Sequence, residues 1–157
     1  MADWISIVVD LLIGGGFAFI LSSVVPRKLN DDRCLKDFFI TELQQIKEEV
    51  NALCGKICLN EISASALKES LKQYSLKLNN IQYVVNREMD IEINPLQGLN
   101  SIQLFITNSL EMNEQYSEDV VVFEPSTIKV LREKQSVFNL NMISSIAWVN
   151  KANSKRR

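Results

Sequence analysis

Three basic residues near the C-terminal end of the chain have the types and spacing that bind phosphate. Lys129 and Arg132 are one helical turn apart and Lys134 lies beside them, so on a helix they are placed to meet phosphate groups near its start. Residues 125–157 carry seven basic residues and one acidic residue, whereas residues 88–124 carry eight acidic residues and no basic one. The sequence therefore predicts either an anionic ligand or ion pairs between these two segments, within or between subunits.

An aromatic residue and an amide further along the same segment are candidates for contact with a nucleobase. Trp148 could stack on a base, and Asn141 could read its edge through hydrogen bonds. The alternative for Trp148 is packing in the core. The predicted ligand-binding residues are thus Lys129, Arg132, Lys134, Trp148 and Asn141.

The residue types of the chain do not indicate a catalytic site or a metal site. The chain has no histidine, which excludes Ser/His and Cys/His nucleophile pairs and zinc sites that need imidazole. Cys54 and Cys58 are four residues apart, but Cys34 is the only further cysteine, so we expect core thiols rather than a zinc site. No glycine-rich phosphate loop is present. We expect no enzyme, no catalytic residue, no metal and no cofactor.

The apolar periodicity predicts a mostly α fold in which residues 31–151 form one compact domain. Two apolar seams, from Phe39 to Ile57 and from Leu67 to Val85, repeat at spacings of three and four and indicate an antiparallel αα-hairpin. A third helix is expected from a Ser101 cap through Leu110, and a long fourth one from residue 126 or 127 to residue 151. The alternating residues 89–94 and the β-branched residues 120–123 predict a short β-ribbon.

The N-terminal segment has the length and composition of a transmembrane helix. Residues 4–25 form a 22-residue run whose single ionisable side chain is Asp10. Basic residues follow the run, so the positive-inside rule predicts a single-pass protein of the inner membrane with its N-terminus outside. Residues 26–30 form the junction and residues 152–157 a basic tail that is solvated or contacts anionic lipid. The alternative is a buried helix of a soluble protein.

A stripe of small and polar residues recurs every fourth position of this run and predicts a helix-packing or pore-lining seam. It consists of Ser6, Asp10, Gly14, Ala18 and Ser22. Asp10 should face an assembly interior or water, because an ionised carboxylate facing lipid is costly. The alternative is that Asp10 reaches the outer interface.

The combination of an apolar N-terminal run, a helical domain, no catalytic set and a basic segment resembles the small membrane-anchored ancillary effectors of type III CRISPR systems. The resemblance covers the whole length as architecture, and no binding residue is carried over by position. It implies an antiviral role with cyclic tetra-adenylate as ligand, the lipid bilayer and other copies of the chain as partners, and no long nucleic acid. It also implies that residues 31–151 are a cytoplasmic domain for ligand sensing and oligomerisation. The chain would then form a homotetramer in which the ligand rearranges the transmembrane helices to open a pore or disrupt the membrane. The alternative is a single-span scaffold whose coiled-coil-like hairpin docks another protein.

Overall fold

The computed structural model describes residues 32–152, and the chain divides into two units at the boundary between Phe38 and Phe39. The described residues contain five helices, α1 (Asp32–Cys58), α2 (Ala64–Met89), α3 (Leu96–Thr107), α4 (Leu110–Glu114) and α5 (Pro125–Lys151). The account below concerns the unit that begins at Phe39.

The predicted αα-hairpin is present as α1 and α2. Its seam residues on α1 are at most 4% exposed, and they are Phe39, Leu43, Ile46, Val50, Leu53 and Ile57. The turn between the helices is built by the Schellman arrangement, in which Asn60 adopts a left-handed φ of 55° and the Glu61 N–H donates to the Lys56 carbonyl at 2.9 Å. Ser63 then caps α2, because its hydroxyl accepts from the Ala66 N–H.

Polar contacts connect four helices in a closed ring around the core. Lys77 on α2 pairs with Glu49 on α1 at 3.4 Å. Ser75 on α2 donates to Gln103 on α3, and Lys134 on α5 donates to Ser101 on α3. The ring closes between α5 and α1 through three amides, in which Asn51 and Asn139 exchange hydrogen bonds at 3.0 and 3.1 Å and Gln135 donates to Asn51 at 2.7 Å. Helix α4 packs at the end of this arrangement, where it contacts α3.

Helices α3 and α5 approach each other most closely at Gly98. A Cβ atom at this position would lie 2.9 Å from the Phe138 Cα and 3.1 Å from the Asn141 Nδ2. Since real Cβ atoms do not approach backbone that closely, the packing of α3 on α5 requires glycine here.

The predicted β-ribbon is wrong, because neither segment forms a strand in the described residues. The Asn86 side chain occupies both backbone groups of Ile93, accepting from its N–H at 3.0 Å and donating to its carbonyl at 3.3 Å. Gln115 does the same for Val122, at 2.8 and 3.1 Å. Side-chain amides thus take the place that a neighbouring strand would have.

The third helix begins and ends earlier than predicted. It starts at Leu96, directly after Pro95, so Ser101 lies inside the helix and does not cap it. Leu110 belongs to the separate helix α4 and is 72% exposed, whereas it was expected to face inward. The fourth predicted helix is α5, which begins at Pro125 because proline suits the first helical position.

The predicted membrane span and localisation are corrected by the described helices. Over residues 32–152, no helix combines the length and the apolarity that a bilayer crossing needs, so the single-pass inner-membrane prediction is not carried forward. The longest uncharged stretch of α5, residues 135–150, is shorter than the roughly 20 residues that a span requires. The predicted span 4–25, its stripe of small residues, the junction 26–30 and tail residues 153–157 lie outside the described residues.

Candidate functional site

A basic cavity lies along the first two turns of α5. It has a volume of about 530 Å³ and is lined by Pro125, Ile128, Lys129, Arg132 and Glu133. The two cations are three residues apart, so their side chains project from the same part of the helix. Their neighbour Glu133 supplies the one carboxylate of the lining.

Lys129 and Arg132 are exposed, and within residues 32–152 neither forms a hydrogen bond or an ion pair. The alternative that they pair with the acidic segment is therefore wrong for contacts within the described part of the chain. Their charges remain available to an anion.

Helix α4 stabilises the start of α5 through hydrogen bonds to one carboxylate. Glu111 accepts hydrogen bonds from the Thr127 hydroxyl at 2.6 Å and from the Glu124 N–H at 3.3 Å. Partial burial works against the charged form of Glu111, but these hydrogen bonds outweigh burial and lower the pKa of its carboxyl. The N-cap residue of α5, Glu124, makes no side-chain capping bond, but two carboxylates, those of Glu111 and Glu124, belong to this end of the helix and offset part of its positive dipole.

Lys134 does not belong to the basic cavity. Its ammonium group donates to the Ser101 hydroxyl at 3.1 Å and lies 5.5 Å from the centre of the Phe105 ring. Both partners are on α3. Lys134 therefore contributes to the packing of α3 on α5.

Asn141 and Trp148 line a second cavity, which is rich in amides and hydroxyls. It has a volume of about 210 Å³, and its remaining lining residues are Glu92, Ile93, Asn94, Gln97, Ser144 and Ser145. Trp148 is 59% exposed, so the alternative of core packing is wrong and its ring is open to a ligand. Among the residues of 32–152 that line this cavity, none is basic.

The two cavities are on different sides of α5. Arg132 and Asn141 are nine residues apart, which places them half a turn apart in direction and about 14 Å apart along the axis. The structure thus brings together Lys129 with Arg132, and Asn141 with Trp148, but it does not bring the two pairs into one site. This separation of the two pairs could be predicted from their spacing on one helix.

Sequence reasoning missed the polar neighbours of both pairs. Ser144 and Ser145 follow Asn141 at helical spacing and precede Trp148, so the α5 side of the amide cavity was readable from the sequence. Asn94, which precedes α3, and Gln97, in the first turn of α3, line it only because this part of the chain packs on α5. This contact joins residues that are far apart in the sequence, so no local sequence pattern predicts it.

The cysteines and the hairpin seam offer no further site. Cys54 is buried, and burial raises the pKa of its thiol to about 12, which makes it an unreactive core residue as predicted. Over the described residues no three potential metal ligands come together. The α1 seam, which the scaffold alternative would use for docking, is buried inside the unit.

Comparisons with known proteins assign this chain to no group. No family model matches the sequence, and neither the curated proteins nor the solved structures include a match.

Proposed function

We propose that the unit beginning at Phe39 binds a phosphate-bearing ligand at the basic cavity of α5. The observation that carries the proposal is that Lys129 and Arg132 line one cavity and, within the described residues, have no anionic partner. Exposed cationic side chains that form no ion pair are available for charge-assisted hydrogen bonds to phosphate oxygens.

The position of the cavity on the helix adds to the attraction. Phosphate groups are favoured near a helix N-terminus, where N–H groups lack partners and the helix dipole is positive. The cavity covers the first two turns of α5, so the dipole adds to the charges of Lys129 and Arg132, while the Glu111 and Glu124 carboxylates at the same end offset part of it. The Glu133 carboxylate opposes an anion, so removing its charge should strengthen binding.

Cyclic tetra-adenylate is the ligand that the CRISPR resemblance implies, and it is the first one to test. In this proposal Lys129 and Arg132 contact its phosphates. Trp148 and Asn141 on the same chain do not contact the same part of the ligand, because they face another side of α5. The proposal concerns ligand binding and includes no effect on a membrane.

The test is a thermal melt of the full chain with cyclic tetra-adenylate, linear tetra-adenylate and inorganic phosphate. A ligand present at a hundred times its dissociation constant stabilises the folded state by about 2.7 kcal/mol, which a melt resolves. We expect this shift with cyclic tetra-adenylate. A panel that leaves the melting temperature unchanged would contradict the proposal.

Charge reversal then locates the site. Lys129→Glu with Arg132→Glu should abolish the shift, and Glu133→Gln should increase ligand affinity. The matched control is Lys56→Glu with Lys72→Glu, which changes the net charge equally at two exposed positions on α1 and α2. An equal loss of binding in the control would mean that overall charge, and not this cavity, attracts the ligand.

A further inference from the structure

One side of α5 is exposed and carries a seam of its own. It consists of Glu133, Val137, Leu140, Ser144, Ala147 and Lys151, which we call the outer seam, and all six residues are exposed. Val137 is 53% exposed and Leu140 62% exposed. Ile143, exposed to 52%, flanks the seam and widens its apolar strip.

The spacing of the outer seam is that of a coiled coil. Its residues follow one another at intervals of four, three, four, three and four, which keeps them on one side of the helix. Between its two ends the only charged residue is Lys134, next to Glu133, and residues 135–150 include no charged side chain. The ends themselves, Glu133 and Lys151, are 18 residues apart, or five turns and about 27 Å.

The outer seam is complementary to a second copy of itself that runs in the opposite direction. When it is read backwards about position 142, Glu133 meets Lys151, Val137 meets Ala147 and Leu140 meets Ser144. Each pair joins opposite charges or a large side chain with a small one. Antiparallel coiled coils pack in layers of this kind, and such a match is what a twofold interface requires of a single surface.

We infer that the outer seam is the contact with a second copy of this chain, in which the two α5 helices pack antiparallel. Glu133 then pairs with the partner's Lys151 at both ends, and Leu140 packs on the partner's Ser144 near the twofold axis. An unrelated protein partner would not explain why charge and size both match under reversal. The contact is independent of the proposed ligand, although Glu133 also lines the basic cavity, so the test omits ligand.

Charge reversal at the two ends of the seam tests the pairing in the full chain. The association constant is measured by sedimentation for Glu133→Lys, Lys151→Glu and the double variant. Each single reversal converts two attractive pairs per dimer into repulsive ones and should weaken association by about ten- to thirtyfold. The double variant restores opposite charges and should return association to the wild-type value.

The control is Lys72→Glu, an exposed charge reversal on α2, which should leave association unchanged. Single reversals that do not alter the association constant would overturn the inference, as would a double variant that associates no better than the single ones. Circular dichroism confirms that each variant is folded.

Disulfide trapping tests the antiparallel direction. Val137→Cys and Ala147→Cys chains should form a disulfide-linked dimer when they are mixed, and neither should do so alone beyond the wild-type chain, whose exposed Cys34 sets the background. Efficient linking of Val137→Cys to itself would show a parallel contact and contradict the proposed geometry.

Discussion

The inner and outer sides of α5 differ in what surrounds them more than in their apolar content. The inner side presents Leu131, Phe138, Met142 and Val149, all with no exposed surface. The outer side presents Val137, Leu140 and Ile143, each more than half exposed. Apart from Leu131, the residues of both sides belong to the uncharged stretch 135–150, so hydrophobicity alone does not separate core from surface.

The difference is set by the neighbouring helices. The inner side contacts α3 at Gly98, which has no side chain. It is flanked by the hydrogen-bonded amides of Asn51, Gln135 and Asn139 between α1 and α5, which we call the amide ladder. The outer side has no such complement within the described chain. A helix that is apolar on two sides thus indicates two packing partners, of which residues 32–152 supply one.

The largest effect should come from matched leucine truncations on the two sides. Leu131→Ala removes a fully buried side chain and should lower the free energy of unfolding by about 2–5 kcal/mol. Leu140→Ala, at a 62% exposed position, should change it by less than about 0.5 kcal/mol in dilute protein, where no dimer forms. Chemical denaturation measures both, and equal costs would remove the distinction between the two sides.

The contact of α3 with the inner side should be the next most sensitive. Gly98→Ala places a methyl group 2.9 Å from the Phe138 Cα and should cost about 1–3 kcal/mol of stability. Gly55→Ala, on α1 with nothing within 4 Å of the new methyl group, should instead stabilise by about 0.5–1 kcal/mol. Thermal melts of the two variants should shift in opposite directions.

A smaller effect is expected at the amide ladder that borders the inner side. Asn51→Ala leaves the part-buried amides of Asn139 and Gln135 without their partner and should cost about 1 kcal/mol. Gln45→Ala is the matched control, because it removes an exposed hydrogen bond to Glu49 within α1 and should change stability by less than about 0.5 kcal/mol. An equal cost for the two variants would mean that the ladder adds nothing specific.

The smallest effect concerns the start of α5. Thr127→Val removes a hydrogen bond to the Glu111 carboxylate, so the pKa of Glu111 should rise towards its ordinary value, as a carboxyl titration by NMR would detect.

The direction of the pH effect follows from the lowered pKa. A carboxyl whose pKa is lowered on folding stabilises the protein above its unfolded pKa, and this stabilisation is lost as the pH falls through the folded pKa. The variant should therefore be slightly less stable than the wild type near neutrality and equal to it in acid. A difference that persists unchanged in acid would show that Thr127 acts by packing.

The long helices were predictable because each repeats its apolar pattern over many turns. The seam from Phe39 to Ile57 is buried as expected. The errors lie where one side chain replaces a regular partner. The local pattern of residues 89–94 contains no signal for the hydrogen bond between the Asn86 amide and Ile93. The alternation therefore predicts a strand that does not form.

The candidate site was predictable in its residue types but not in its grouping. Lys129 and Arg132 share a cavity as their spacing indicates, whereas Lys134 is drawn to Ser101 by the packing of α3. The position of α3 depends on Gly98, whose role is visible only once the two helices are placed together. Long-range packing therefore decides which of the charges remain free.

The amide contacts of Asn86 and Gln115 also bear on how the protein avoids aggregation. An extended segment with an open N–H and carbonyl is a template on which another chain can add a strand. At Ile93 and Val122 both groups are already occupied by a side chain of the same molecule. The two β-prone segments are thereby closed to intermolecular strand addition at Ile93 and Val122, and loss of either amide would open one of these positions to it.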